Sequence, residues 1–274
     1  MKAETTRTNF QKVGSYYENA EQEWNRLQRH PLEFPVTTGV LEKYLPERGS
    51  LLDIGGGPGR YAIHYALKGY EVTLFDLSSH NVEFANHKAK EWRAPVRDFL
   101  TGNATDLAQF ESDQFDIVLN FGPLYHLTQE EERVQAVEEA VRVLKPGGVI
   151  AVAFISAYSP IFDTLKHSPA AIQDLRPRLK SYLSEGVYIR GKDGGFVDAY
   201  FMRPERIETF MSPFGLEPLS LFGAEGMIVQ SEETLVGLEE AVVDEWIDFC
   251  KETAELPASV YGSDHAVYVG RKPG

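Results

Sequence analysis

Between Ser50 and Ile155 the apolar residues fall into short continuous runs separated by stretches of helical period. The runs are SLLDI, YEVTLFD, FDIVLNF and GGVIAVAFI, with a weaker one near VRDFLTG. The helical stretches are RYAIHYALKG, SSHNVEFANHKAKEW and QEEERVQAVEEAVRVL. A run that is apolar throughout suits a strand buried on both faces. Its alternation with helices predicts an α/β, three-layer fold with a mostly parallel sheet.

The flanks follow a different pattern. Ahead of the core, YYENAEQEWNRLQRH predicts a helix, HPLEFP its break, and VTTGVLEKYL a second helix stopped by PERG. From Ser156 to Gly195 no regular alternation is present, and SPIFDTLKHSPAAIQDLRPRLKSYL with the turn GKDGG predicts an inserted helical lid. RPERIETFMSPFG predicts a short helix closed at Pro213 and Gly215. Then come a strand near LEPLSLFG, one long helix across EETLVGLEEAVVDEWIDFCKE, and a last strand, HAVYVGRKP.

Composition narrows the partners. With 43% apolar and 25% charged residues in 274, the chain can build an ordinary packed core without staples. Its 27 basic and 41 acidic residues give a formal charge of −14, which opposes a polyanion, so no nucleic-acid partner is expected. The lone Cys250 cannot form an internal disulfide, and no ligand spacing of the C-x-x-C or His-rich kind occurs, so no metal is expected. Cys250 reads as a small apolar residue on a helix. The start, MKAETTRTNFQKVG, has no apolar h-region, and no run approaches the ~20 residues of a membrane span. A cytoplasmic protein, monomer or homodimer, is the expectation.

The densest chemical signal is LLDIGGGPGR, Leu51 to Arg60. A strand followed by clustered glycines and a helix start lets a ligand press against the backbone. It also presents helix N–H groups to a polar or negative group. Two ligands compete. GPGRYA, Gly57 to Ala62, satisfies the G-x-G-x-x-A pattern of a dinucleotide fold, with Asp76 at about the ~20-residue spacing of a ribose-binding acid. That reading gives an NAD(P)-dependent reductase. Against it stand Asp53, two residues before Gly55 where dinucleotide folds usually carry an apolar residue, and VRVLKPGGVIAVAF, a helix, a Lys-Pro-Gly-Gly turn and a buried strand.

LLDIGGGPGRYA, VTLFDLS, TGNATDL, FDIVLNFGPLYHL and VLKPGGVIAVAF, in that order, resemble the motif set of class I S-adenosylmethionine-dependent methyltransferases. They are especially similar to the broad small-molecule methyltransferase group of ubiquinone/menaquinone-methyltransferase type. The resemblance implies a seven-stranded, mostly parallel, Rossmann-like sheet with an antiparallel last strand, and S-adenosyl-L-methionine as cofactor. It divides the chain into an N-terminal helical lid segment (1–49), a cofactor-binding core (50–155), an inserted substrate cap (156–203) and the rest of the core sheet (204–274). Gly55, Gly57 and Gly59 would form the loop beneath the methionine moiety, and Asp53 would hold its amino group. Asp76 would accept from both ribose hydroxyls, as an acceptor-only carboxylate can. Leu77 would lie against the adenine, with Asn103 and Ala104 at its edge. Asn103 departs from the aspartate common in the family. Asn120 and Phe121, with Gly122, would edge the cleft near the methyl group.

Methyl transfer to a small-molecule acceptor needs an in-line approach, and a base only where the acceptor arrives protonated. His126, in GPLYHL, is the candidate base; the competing reading is a histidine that only shapes the cleft. Tyr125 is either wall or an orienting group. Tyr16 and Tyr17 would contribute to the lid, one facing the cleft, whereas Trp24 packs onto the sheet. Tyr200, Arg203 and Glu225 fall in the region that roofs the acceptor, with a surface salt bridge as the alternative for Arg203. Two further alternatives stand: a non-catalytic S-adenosylmethionine-binding protein, and a methyltransferase acting on a macromolecule.

Overall fold

The computed structural model describes residues 12–13, 20–190 and 197–274, with only the backbone of residues 22 and 26–29. Nine strands form in chain order: β1 (Ser50–Ile54), β2 (Glu71–Asp76), β3 (Asp98–Thr101), β4 (Phe115–Asn120), β5 (Leu144–Ile155), β6 (Val187–Tyr188), β7 (Ala199–Tyr200), β8 (Glu217–Gly223) and β9 (His265–Arg271). Seven of them make one sheet in the order β3-β2-β1-β4-β5-β9-β8, while β6 and β7 pair separately. Neighbours from β3 to β5 are parallel; β9 runs antiparallel to both β5 and β8. This is the predicted seven-stranded sheet with its antiparallel last strand.

Helices cover both faces. They are α1 (Ala20–Arg29), α2 (Glu33–Leu41), α3 (Arg60–Leu67), α4 (Ser79–Trp92), α5 (Glu130–Val143), α6 (Ser159–His167), α7 (Ile172–Ser184), α8 (Ile207–Met211), α9 (Glu240–Thr253) and α10 (Pro257–Gly262). Side chains alternate across each strand, so adjacent residues enter different cores. Leu51, Leu74 and Ile117 join Val36, Val40 and Ala62 on one side. Leu52, Phe75 and Val118 join Ala136, Val137 and Ile207 on the other. Burial on both faces is what made these strands read as unbroken apolar runs.

Three flanking elements differ from expectation. HPLEFP does not break the chain throughout: α2 starts at Glu33, so Pro35 sits in the first turn, where a missing N–H breaks no helical bond. The long C-terminal helix is two pieces, a 3₁₀ segment Val229–Leu235 and α9, separated by Gly237 at φ +85°. The β6–β7 hairpin and α10 were not anticipated, because two-residue strands and a six-residue helix carry too little period to read. Cys250 is buried, and burial pushes its thiol up to about 11, which leaves it protonated. No described helix is long and apolar enough to cross a membrane.

Candidate active site

The carboxyl ends of β1, β2 and β4 open onto one cleft, the place where open α/β sheets take ligands. The turn after β1 is tied to β2 by Gly55 N–H donating to the Phe75 carbonyl at 2.7 Å and Gly57 N–H to Asp76 Oδ2 at 2.9 Å. The glycines here have separate reasons. At Gly55 (φ +73°) a Cβ would lie 2.4 Å from Pro123 Cδ, and at Gly59 2.9 Å from the Ala85 Cβ of α4. At Gly57 (φ +53°) nothing lies within 4 Å, and this residue lines the cleft. Gly55 and Gly57 therefore border the cleft, whereas Gly59 stands behind it and lets α3 approach α4.

Two buried carboxyls flank this loop. Asp76 ends β2, and its Oδ1 accepts from Ser78 N–H at 2.8 Å and Asn81 Nδ2 at 3.3 Å. Ser78 caps α4 by accepting from Asn81 N–H, which turns the chain away just past the carboxylate. Burial raises the Asp76 pKa against these hydrogen bonds. Asp53 is wholly buried, its oxygens have no hydrogen-bond partner of good geometry, and it is pushed up to about 7. Burial is the main cause and the charge of Asp76 the second; the Ala62 backbone opposes them only weakly. A buried, poorly partnered carboxyl in a cleft wall suits a cationic group such as an ammonium.

Leu77, Asn103, Ala104, Phe121, Tyr125 and His126 line the same cleft. Asn103 Oδ1 accepts from Thr105 N–H at 3.1 Å, so part of its acceptor capacity braces its own turn. Asn120 lies behind the wall, fully buried with neither amide atom hydrogen-bonded, and leaves the lining to Phe121. Trp24 is buried as expected of a packing residue, but against α3 and α4 rather than the sheet: it lies edge-on to Trp92 at 5.6 Å, with the Arg60 guanidinium 4.9 Å from its ring. Tyr16 and Tyr17 lie outside the described residues.

His126 ends the 3₁₀ turn Pro123–His126 and is bonded to the Asp198 backbone. Burial pulls its pKa down to about 4, so it is neutral and weakly basic near pH 7. The residue reaches the cleft, and burial makes it a weaker base than an exposed imidazole. Tyr200 and Arg203 do not reach either cavity described here. The Tyr200 ring lies under the Arg133 guanidinium at 3.5 Å, and Arg203 stands 3.8 Å from Glu205 at the surface.

Beyond Tyr125 the cleft adjoins a second cavity, roofed by α6 and α7 and walled by Tyr182, Tyr188 and Phe201. Glu225 and His265 line it. Glu225 is buried; its Oε1 meets His265 Nδ1 at 2.5 Å and its Oε2 accepts His265 N–H at 3.1 Å. Glu33 joins them, the three residues' donor atoms lying within 4.8 Å of one another. His265 and Glu33 were missed. The signal lies in topology: β9 is antiparallel and pairs Ile155 with His265, which brings its first residue to the edge where β5 ends.

Residues 52–152 match a family model described as a methyltransferase domain. With the sheet order and the glycine–carboxyl cleft, this match marks the α/β core as a methyltransferase domain built on the fold of class I S-adenosylmethionine-dependent methyltransferases. Among its relatives, the demethylmenaquinone methyltransferase of Leptospira interrogans is 30% identical over 153 residues, 54% of this chain and 59% of that one. The tRNA 5-carboxymethoxyuridine methyltransferase of Escherichia coli is 30% identical over 127 residues, 46% of this chain and 48% of that one. These matches cover only about half of the curated relatives' length. The fold likeness extends further. The 1,6-didemethyltoxoflavin-N1-methyltransferase of Burkholderia thailandensis, a structure with bound 1,6-didemethyltoxoflavin and S-adenosylhomocysteine, aligns at a TM-score of 0.60. It is 14% identical, over 99% of this chain and 90% of that one. The residues present fit S-adenosylmethionine: a buried carboxyl for its ammonium and open space over Gly57.

Proposed function

We propose that this chain transfers the methyl group of S-adenosylmethionine to a small-molecule acceptor held in the second cavity. The observation that carries the reading is the junction of the two spaces, where Glu23, Glu33, Tyr125 and His265 line both. A molecule in the second cavity thus abuts the cofactor cleft, as in-line displacement demands.

In this reading Asp53 holds the cofactor's ammonium and Asp76 its ribose hydroxyls. Leu77, Asn103 and Ala104 meet the adenine, and the loop Gly55–Gly57 underlies the methionine moiety. The bound cofactor supplies an already activated methyl sulfonium. The chain's task is then to orient the acceptor and exclude water, for which ~7–11 kcal/mol is available from orientation. Segment 156–203 serves as the acceptor-side cap and residues 1–49 as the opposite lid. The roofed cavity and a charge of −14 support a small acceptor over tRNA. A cytoplasmic site of action accords with a single, buried cysteine.

Calorimetric titration with S-adenosylhomocysteine, with NADH and NADPH as controls, tests the cofactor side. Micromolar binding of the first, lost in Asp76→Ala, supports the reading. Incubation with labelled S-adenosylmethionine and either metabolite extract or bulk tRNA tests the acceptor. Label appearing only in tRNA sinks the small-molecule reading.

A further inference from the structure

The second cavity carries its charge unevenly. At its deep end Glu33, Glu225 and Glu232 are all buried, each less than a tenth exposed. Its lysine and arginine, Lys166 and Arg178, are exposed, and Lys166 is paired with Glu233 at 2.5 Å. Glu33 and Glu225 present oxygens within 4.8 Å of each other, with only the His265 imidazole beside them in that group. Glu232 pairs one oxygen, Oε1, with His30, while its Oε2 is buried with no hydrogen-bond partner. Carboxylates so placed repel one another and have given up water, so a cation brought among them relieves both costs.

The apolar walls point the same way. Tyr125, Tyr182, Tyr188 and Phe201 line this cavity, and the Tyr182 and Phe201 rings lie 5.3 Å apart. Aromatic faces accept the flat body of a ligand and also attract a cation. Among the described side chains of this cavity, an acidic ligand would meet three buried glutamates, two of them already paired with His30 and His265, and would find lysine and arginine only at exposed positions.

We propose that the acceptor is a cationic amine with an aromatic body. Its ammonium lies among Glu33, Glu225 and Glu232 and its ring against the tyrosines. This rests on the second cavity being the acceptor site, and it adds the substrate class.

The test uses the full chain saturated with S-adenosylhomocysteine at pH 7.5 and three probes of one shape: tyramine, the neutral 4-(2-hydroxyethyl)phenol, and 4-hydroxyphenylacetate. Tyramine is expected to bind at least about tenfold more tightly than either analogue, with the acid weakest. Glu232→Gln is expected to weaken tyramine about tenfold while leaving S-adenosylhomocysteine affinity unchanged, which also reports that the variant is folded. Glu33→Gln provides a second variant from another element. Equal binding of the three probes, preference for the acid, or no tyramine binding by the loaded protein overturns the proposal. So does tyramine binding that disappears with EDTA and returns with Mg²⁺ or Zn²⁺, because the carboxylates then hold a metal. Failure of S-adenosylhomocysteine itself to bind strikes the methyltransferase reading instead, so the two failures are distinct.

Discussion

The charge of Asp76, on the neighbouring strand, reinforces burial in holding the Asp53 carboxyl at about 7, and both residues line one cleft. Asp76 is steadied by three hydrogen bonds, from Gly57, Ser78 and Asn81, while Asp53 has no hydrogen-bond partner of good geometry. In the ligand-free fold, an ionised Asp53 is therefore a destabilising group held ready for a positive one.

The sign of the pH effect follows. The folded pKa lies above the unfolded value, so Asp53 lowers stability increasingly as pH rises from about 4 to about 7. Asp53→Asn is expected to raise the melting temperature of the ligand-free protein more at pH 8 than at pH 5. It is also expected to weaken S-adenosylhomocysteine and remove the loss of affinity expected of wild type below pH 7. Melting curves and titrations at both pH values check this; an equal shift at both values contradicts the assignment.

Gly55→Ala and Gly57→Ala separate folding from binding. The first drives a methyl group into Pro123 at a positive φ and is expected to cost about 2–5 kcal/mol of stability. The second meets open space, so only the backbone term of about 1–2 kcal/mol applies, yet its methyl is added at a residue that lines the cleft. Urea denaturation and calorimetry should find Gly57→Ala folded and at least tenfold weaker for S-adenosylhomocysteine. Undiminished affinity would falsify the close approach at this residue.

His64 and His126 are both pulled down to about 4, chiefly by burial. The unfolded chain takes up these protons near 6.5, so stability is full above that value and is lost as pH falls towards 4. His64 packs edge-on to Phe34 at 5.3 Å, and its Nε2 has no hydrogen-bond partner. His64→Phe is expected to stabilise by on the order of 1 kcal/mol, most of all at pH 5. A destabilised variant at pH 5 counts against this account. For His126, proton NMR should find no titration between pH 5.5 and 8.

Arg133 joins the turn after the 3₁₀ segment Pro123–His126 to β7. Its Nη1 donates to the Leu127 carbonyl at 2.7 Å while its guanidinium lies over Tyr200 of β7. Arg133→Ala leaves a carbonyl unpaired and a ring face uncovered, for an expected loss of about 2–4 kcal/mol. Tyr200→Phe keeps the π-face and should stay within about 0.5 kcal/mol of wild type, whereas Tyr200→Leu should not. Denaturant midpoints that rank Phe with Leu would remove the cation–π contact from the explanation.

What the sequence determined by itself was the core. Strands buried on both faces are unbroken apolar runs, and a ligand-gripping turn must spend glycines at fixed positions, so β1, β2, β4 and the Asp53–Gly57–Asp76 constellation could be read locally. Even there, only tertiary contacts set Gly59 apart from Gly57, because the difference is what a Cβ would touch. The second cavity was decided by the tertiary structure. Glu33, Glu225 and His265 come from opposite ends of the chain; Glu225 could be placed on the acceptor side from its segment, but Glu33 and His265 look like ordinary polar residues in theirs. They meet because β9 enters antiparallel beside β5 and Glu225 closes on His265. His126 shows the converse: its position beside the cleft was legible, but its protonation depends on burial by chains distant in sequence, and local sequence does not encode burial of that kind.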